Sequence, residues 1–410
     1  MIHQILPQLP ALALALTFAS CATDGGGIAA PDGPVPGSGT KIHRLSIGRV
    51  ASAPLPNAQA DAILAGATRI LRNRDSGSDV SANVVLQRQG DVRVIPGPAV
   101  IESEEDYARI GASGVQVAIV EAVRFCTATK PGILGCSRIG GSFMALVRRS
   151  SLEDIIWAHE FGHNCGLNHR GDSSALMNPE AGPNRRSLIA GEARSFERKN
   201  AGSGSAALAA APGERGAEAE PGGADDFLRR VYVHGIPYAH VAGFGPADAA
   251  RFKAVLADPS RKAQWLNASV ALGAIGTPEA VEGVRRFVRA GRGRLDHDAY
   301  QAKLGAVLGL GYGLRRSGSG SALEHLAGGC AVDSWRQELR WTAPGGQSRE
   351  ETARSMTAAS YSGLALSGAP EAVELLTAAL RKNAKDSPLH RCAQSALTEL
   401  RKVRAGGLRR

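Results

Sequence analysis

The residues best suited to chemistry lie together in Trp157-Ala158-His159-Glu160-Phe161-Gly162-His163-Asn164-Cys165-Gly166-Leu167-Asn168-His169. On a helix, His159 and His163 stand one turn apart, about 40° from eclipsed, so both imidazoles leave the same face. Two nitrogen donors at this spacing suit one Zn2+ at about 2.0–2.1 Å. Gly166 can end the helix with a positive φ, which turns the chain back and lets His169 supply a third imidazole. Three protein ligands leave one tetrahedral position for water, whose pKa a bound zinc lowers to about 7. Glu160 lies beside the first ligand, about 100° round the helix, where it reaches that water without joining the ligands. It is placed as a general base, taking the water proton during attack on a carbonyl and handing it to the leaving amine. The zinc would polarise the carbonyl and hold the developing negative charge.

No fourth ligand suggests itself nearby, so a closed structural metal site is not expected. Asp172 reads as a turn former with Gly171, and Cys165 falls on the packing side of the helix. His234, His240, His297, His325 and His390 show no ligand spacing and are assigned to surfaces or helix caps.

Six residues beyond His169 begins Ala175-Leu176-Met177-Asn178-Pro179. The whole run HEFGHNCGLNHRGDSSALMNP resembles the zinc signature and Met-turn of the metzincin metallopeptidases, and is most similar to their matrixin branch. The resemblance implies His159, His163 and His169 as zinc ligands, Glu160 as base and Met177 as the residue beneath the metal. It also implies an upper rim at residues 142–149 that binds an extended peptide by strand addition, and a closing helix at residues 185–199. The similarity covers about 25 residues of the chain. No cysteine-switch segment and no structural-zinc or calcium segment of the matrixin type is visible. Glu180-Ala181 follows Pro179, with no Tyr where matrixins usually build the specificity-pocket wall.

Positioning elements can be read on either side. KIHRLSIGRV at 41–50 alternates like a half-buried strand, and Ile63, Ala67, Ile70 and Leu71 mark an amphipathic helix over 57–73. Residues 83–95, 115–124 and 142–149 read as strands, and Ser150 and Glu153 are spaced as a capping box for the helix that carries the histidines. Residues 41–200 therefore read as a mixed α/β domain, which the resemblance implies is a metzincin-like (α+β) catalytic domain with a mixed twisted sheet and an active-site helix. Residues 201–225 are a low-complexity linker. Residues 226–410 read as an all-α domain of HEAT-like repeats. Gly276-Thr277-Pro278-Glu279-Ala280-Val281-Glu282 recurs as Gly368-Ala369-Pro370-Glu371-Ala372-Val373-Glu374, a helix stop followed by a helix start, and Gly245-Pro246 marks a degenerate third copy.

The start of the chain reads as a signal peptide over residues 1–21, with the apolar run 8–20 too short to span a bilayer. Phe18-Ala19-Ser20-Cys21 resembles a bacterial lipoprotein signal, which makes Cys21 a candidate for lipidation and residues 22–40 a tether. Export permits disulfides, and Cys126 and Cys136 flank a short glycine-containing loop that invites one. The 410 residues carry a net charge of +10, but the basic residues are scattered without interleaved aromatics, which excludes nucleic acid as the expected partner. Neither a glycine triplet nor a sustained heptad appears, so collagen-like and coiled-coil architectures are excluded. The expectation is an exported zinc endopeptidase, membrane-bound only through a lipid anchor, acting on a protein or peptide and using its repeats for substrate or partner binding. Its rivals are a non-catalytic adaptor with a degenerate peptidase domain and a metallohydrolase directed at peptidoglycan.

Overall fold

The computed structural model describes residues 39–72, 80–199 and 221–407; Cys21 and the apolar run at 8–20 lie outside them. KIHRL and IGR form β1 (Lys41–Leu45) and β2 (Ile47–Arg49), and the helix that follows, α1 (Asn57–Arg72), buries Ile63, Ala67, Ile70 and Leu71 as its periodicity predicts. The run expected at 83–95 is two strands, β3 (Val84–Arg88) and β4 (Arg93–Val94). After β5 (Val100–Ile101) and α2 (Glu104–Gly111), the apolar run at 115–124 forms β6 (Val117–Val120) and β7 (Ala122–Phe125), interrupted only at Glu121. Then come β8 (Thr129–Ile133), β9 (Gly135–Ser137) and β10 (Met144–Val147).

The main sheet has the order β4-β2-β6-β10-β9, parallel except for the antiparallel β9. β6 and β10 are buried at every position, as strands covered on both faces must be. The rim expected at 142–149 is therefore corrected: β10 is an inner strand, and β9 stands outside it. Helix α3 (Glu153–Asn164) carries the histidines and packs against α1 and β9. It has no Ser150 capping box. Leu152 is the N-cap, and Glu153 turns back to accept from Arg148 Nε and Arg149 N, each at 2.7 Å. A buried guanidinium is a stronger partner for that carboxylate than the backbone at Ser150. β11 (Glu180–Ala181) and α4 (Ala190–Arg198) follow, the latter inside the range expected for a closing helix.

Most of the linker expected at 201–225 lies outside the described residues, and α5 (Ala224–Arg229) begins within its expected bounds; β12 (Val231–Tyr232) and the short α6 (Tyr238–Ala242) follow. The helices α7 (Pro246–Ala257), α8 (Trp265–Ile275), α9 (Pro278–Arg289), α10 (His297–Ser317) and α11 (Gly320–Gly328) succeed them. α12 (Val332–Glu338), α13 (Arg349–Ser367), α14 (Pro370–Lys382) and α15 (Pro388–Gly407) complete the chain. α8, α10, α13 and α15 pack side by side in that order, with α7, α9, α11 and α14 against them. The duplicated motif does what its residues require. Gly276 and Gly368 end α8 and α13 at φ of 70° and 66°, and Pro278 and Pro370 open the next helices. Gly245 departs from this: it is an extended N-cap of α7. The glycine content also has a packing reason, because Gly309 meets the Val270 backbone and Gly311 the Gly363 carbonyl, contacts that a Cβ would block.

The described residues form one compact unit. The helical half grips the sheet through buried polar groups. Gln301 Nε2 donates to the Glu121 carbonyl at 2.5 Å, and Arg124 Nη2 donates to the Ser355 carbonyl at 2.8 Å. The Glu121 carboxylate, fully buried, accepts from Gln347, and burial pushes its pKa up to about 7 against a lowering hydrogen bond from Ser52. The folded state thus holds a proton that the unfolded chain releases near the ordinary value of 4.5. Stability contributed here falls as pH rises from about 4.5 to 7. Glu121→Gln is expected to stabilise the protein by on the order of 2 kcal/mol at pH 8 and by nothing below about pH 4.5. Urea unfolding of both proteins at pH 8 and pH 4.5 checks it, and an equal difference at the two pH values rejects it.

Candidate metal centre

α3 places His159, Glu160 and His163 in its last two turns, all buried. The helix ends where expected, with Gly166 at φ 89° and Leu167 N donating to the Gly162 carbonyl at 3.0 Å. The returning chain then brings His169 back to the same face, its ring centroid 4.8 Å from that of His163 and 5.4 Å from that of His159. Three histidines separated in sequence by a helix end thus converge.

A fourth joins them. His234 lies beyond the linker, yet its Nε2 is 3.0 Å from His159 Nε2 and 3.2 Å from His163 Nε2. The potential ligand atoms of His159, His163, His169 and His234 all lie within 4.8 Å of one another, so this buried cluster could hold a metal ion. The assignment of His234 to a surface or cap is therefore corrected, as is the expectation that no fourth ligand exists. The pairing is set by a strand that returns from the far side of the linker. The signal in the sequence was slight: Val231-Tyr232-Val233 is a β-prone triplet, ended by Gly235 and Pro237, in a stretch otherwise helical. His240 is also buried rather than on a surface, with its Nδ1 3.0 Å from the Tyr232 hydroxyl.

The nitrogen chemistry fits a cation. His159 Nδ1 and His163 Nδ1 lie 2.9 and 2.8 Å from the carbonyl oxygens of Leu176 and Leu167, so each donates its proton there. Both Nε2 atoms are then bare acceptors, yet they stand 3.1 Å apart. A proton on His234 Nε2 can satisfy only one of the close contacts in this group, whereas one ion satisfies all of them. Tetrahedral ligands at zinc–nitrogen distance are separated by about 3.3 Å. His169 Nε2 is buried without a hydrogen-bond partner, the state of a donor atom awaiting a metal. Burial lowers the pKa of all four rings: to about 4 for His163, to about 3 for His169, and well below the ordinary value for His159 and His234. All are neutral at pH 7, as ligation requires.

Glu160 faces this cluster but belongs to a different contact set. Ser137 Oγ donates to its Oε2 at 2.7 Å, while Oε1 has no hydrogen-bond partner and stands 3.7 Å from His234 Nδ1. Burial pushes this carboxyl up to about 8. The side chain packs on β9 at Gly135, where a Cβ would overlap the carboxylate. Met177 is fully buried with its sulfur against Gly162 of α3, and its turn presents the Leu176 carbonyl that orients His159. Cys165 caps α3 outside the cluster, its thiol pushed up to about 12 by burial. Asp172 makes its turn with Ser174, accepting from Ser174 N at 2.8 Å. Cys126 and Cys136 are joined in a disulfide, while Cys165, Cys330 and Cys392 are free thiols. The bridge links the chain just after β7 to β9, one residue before Ser137. A cavity of about 400 Å3 lies beside His163, His169 and His234 and is also lined by Lys130 and Arg138.

No family model matches the chain, and neither the curated proteins nor the solved structures compared with it give a match. Among the described residues no helix is long and apolar enough to cross a membrane.

Proposed function

We propose that this chain is a zinc-dependent endopeptidase. The observation that carries the reading is the convergence of His159, His163 and His169 beside a buried Glu160 that keeps one carboxylate oxygen without a hydrogen-bond partner. The likeness of HEFGHNCGLNHRGDSSALMNP to the metzincin signature supports it, as does Met177 packed beneath α3. His159, His163 and His169 would hold the zinc, which supplies an acidified water and a Lewis acid when bound. A cation held beside Glu160 would favour its ionised form against the burial that raises its pKa. Glu160 then accepts the water proton on Oε1 and delivers it to the leaving amine, and Ser137 holds the other oxygen so that the carboxylate keeps one orientation. The Leu176 and Leu167 carbonyls fix the tautomers of the first two ligands. The apolar run before Cys21 supports export, and the helical half supports a role in governing access to the site.

A second reading has one specific observation in its favour: His234 supplies a fourth imidazole, which suits a closed structural zinc site in a binding protein. Zinc content and hydrolysis of an unfolded protein substrate separate the two, measured on the metal-loaded parent and on His234→Ala. One zinc per chain with zinc-dependent cleavage by either protein supports the peptidase. One zinc in each and cleavage by neither leaves the structural reading.

A further inference from the structure

We infer that His234 is a fourth ligand of the metal and that residues 231–236 lie in the cleft as an internal strand, so that the protein folds with its own site closed. The inference rests on the peptidase reading of that site.

The segment is seated like a peptide added to a sheet edge. On one side, Leu134 N donates to the Val233 carbonyl at 2.8 Å, Ile133 and His234 form an antiparallel bridge, and Ile236 N donates to the Pro131 carbonyl at 2.8 Å. On the other side, β12 pairs antiparallel with β11, Glu180 opposite Tyr232, and Val233 N donates to the Pro179 carbonyl at 3.0 Å. Backbone bonds on both flanks occupy the groups that an extended substrate would use beside β8 and the first residue of β9. The side chains part between the two halves. Val233 is fully buried in the core of the first half, while Tyr232 and Ile236 are buried in the core of the helical half. His234 points to the three other imidazoles, where an incoming water would stand, and its Nδ1 faces the Glu160 oxygen that a water would otherwise face.

The helical half holds this segment in place. Tyr312 Oη donates to the Ile236 carbonyl at 3.1 Å, and Asn267 Nδ2 donates to the Arg230 carbonyl at 2.8 Å just before the strand. Gly235 makes the close seating possible. Its φ is 82°, and a Cβ there would meet the Pro131 carbonyl and the Lys130 side chain. The repeats thus act on the site through this segment rather than by contributing to the chemistry.

Two variants separate the ligand from the strand that carries it. His234→Ala removes the imidazole and leaves the backbone pairing, whereas Gly235→Val keeps the imidazole and unseats the strand. X-ray absorption on the zinc-loaded full chain is expected to show four imidazole nitrogens in the parent, and three plus an oxygen in both variants. Hydrolysis of an unfolded protein is expected to rise by on the order of ten- to a hundredfold in each, the gain from making the competent state the populated one. An oxygen ligand already present in the parent, with no change in His234→Ala, overturns the inference. Equal hydrolysis by all three proteins overturns the closure while leaving the peptidase intact. A change from four to three imidazoles with no hydrolysis by any of them upholds the fourth ligand and overturns the peptidase reading instead. Because His234→Ala touches no backbone contact, it keeps the test decisive if Gly235→Val fails to fold.

Discussion

Glu160→Gln, made in the His234→Ala background, is expected to keep one zinc per chain and to lose hydrolysis by about 10²–10⁴-fold, the usual contribution of a placed general base. The substitution preserves shape in a site with no room to spare, since the side chain is fully buried and lies against Gly135. Ser137 Oγ can still hydrogen-bond the amide, so the orientation survives. What disappears is the acceptor at Oε1, the atom without a hydrogen-bond partner in the native protein. Metal binding is untouched because no Glu160 oxygen is needed in the ligand set. The loss belongs in kcat, as the proton transfer occurs in the transition state. Steady-state kinetics alongside zinc analysis check it. A loss smaller than tenfold at equal zinc would assign the base to another group, and a loss of zinc would make the role structural.

Arg124→Ala is expected to destabilise the protein by about 3–5 kcal/mol, because it leaves a buried carboxylate without its counter-charge. Arg124 and Glu102 form an ion pair with both side chains almost wholly buried between β7, α2 and α13. The guanidinium also reaches Ser355 Oγ at 3.1 Å, and that hydroxyl lies 2.7 Å from Tyr300 Oη on α10. Glu102 is held from the other side as well, its carbonyl accepting from Ser395 Oγ of α15 at 2.9 Å. Burial raises the Glu102 pKa, and the charge of Arg124 opposes that rise. Removing the cation thus leaves a site that must either bury an uncompensated charge or take up a proton. Replacing both partners, as Arg124→Met with Glu102→Gln, is expected to recover most of the loss, since neither change then strands a charge. Denaturant unfolding of the two single variants and the double variant forms the cycle. A cost below about 1 kcal/mol for Arg124→Ala would mean that water reaches the pair.

The local consequences of residue type were legible in the sequence. His159 and His163 share a face because a helix repeats every 3.6 residues, and Gly166 ends that helix because it takes a positive φ cheaply. Gly276 and Gly368 end helices, and Pro278 and Pro370 begin them, for reasons contained in single residues. The near-continuous apolar runs became the inner strands β6 and β10. Each of these depends on neighbours a few positions away.

What the tertiary structure alone decided depends on residues far apart in the chain. Glu153 left its expected cap because Arg148, which donates to the distant Pro54 carbonyl, is buried beside it. Glu121 and Arg124 were unremarkable in a strand until α10 and α13 removed their solvent. His234 carries no ligand spacing, since 75 residues separate it from His159, and only the strand pairing of Ile133 with His234 brings it to the metal centre. Sequence periodicity reports which face a residue occupies on its own element. Which element then covers that face is a matter of long-range pairing, and here that pairing sets His234 against the other three histidines.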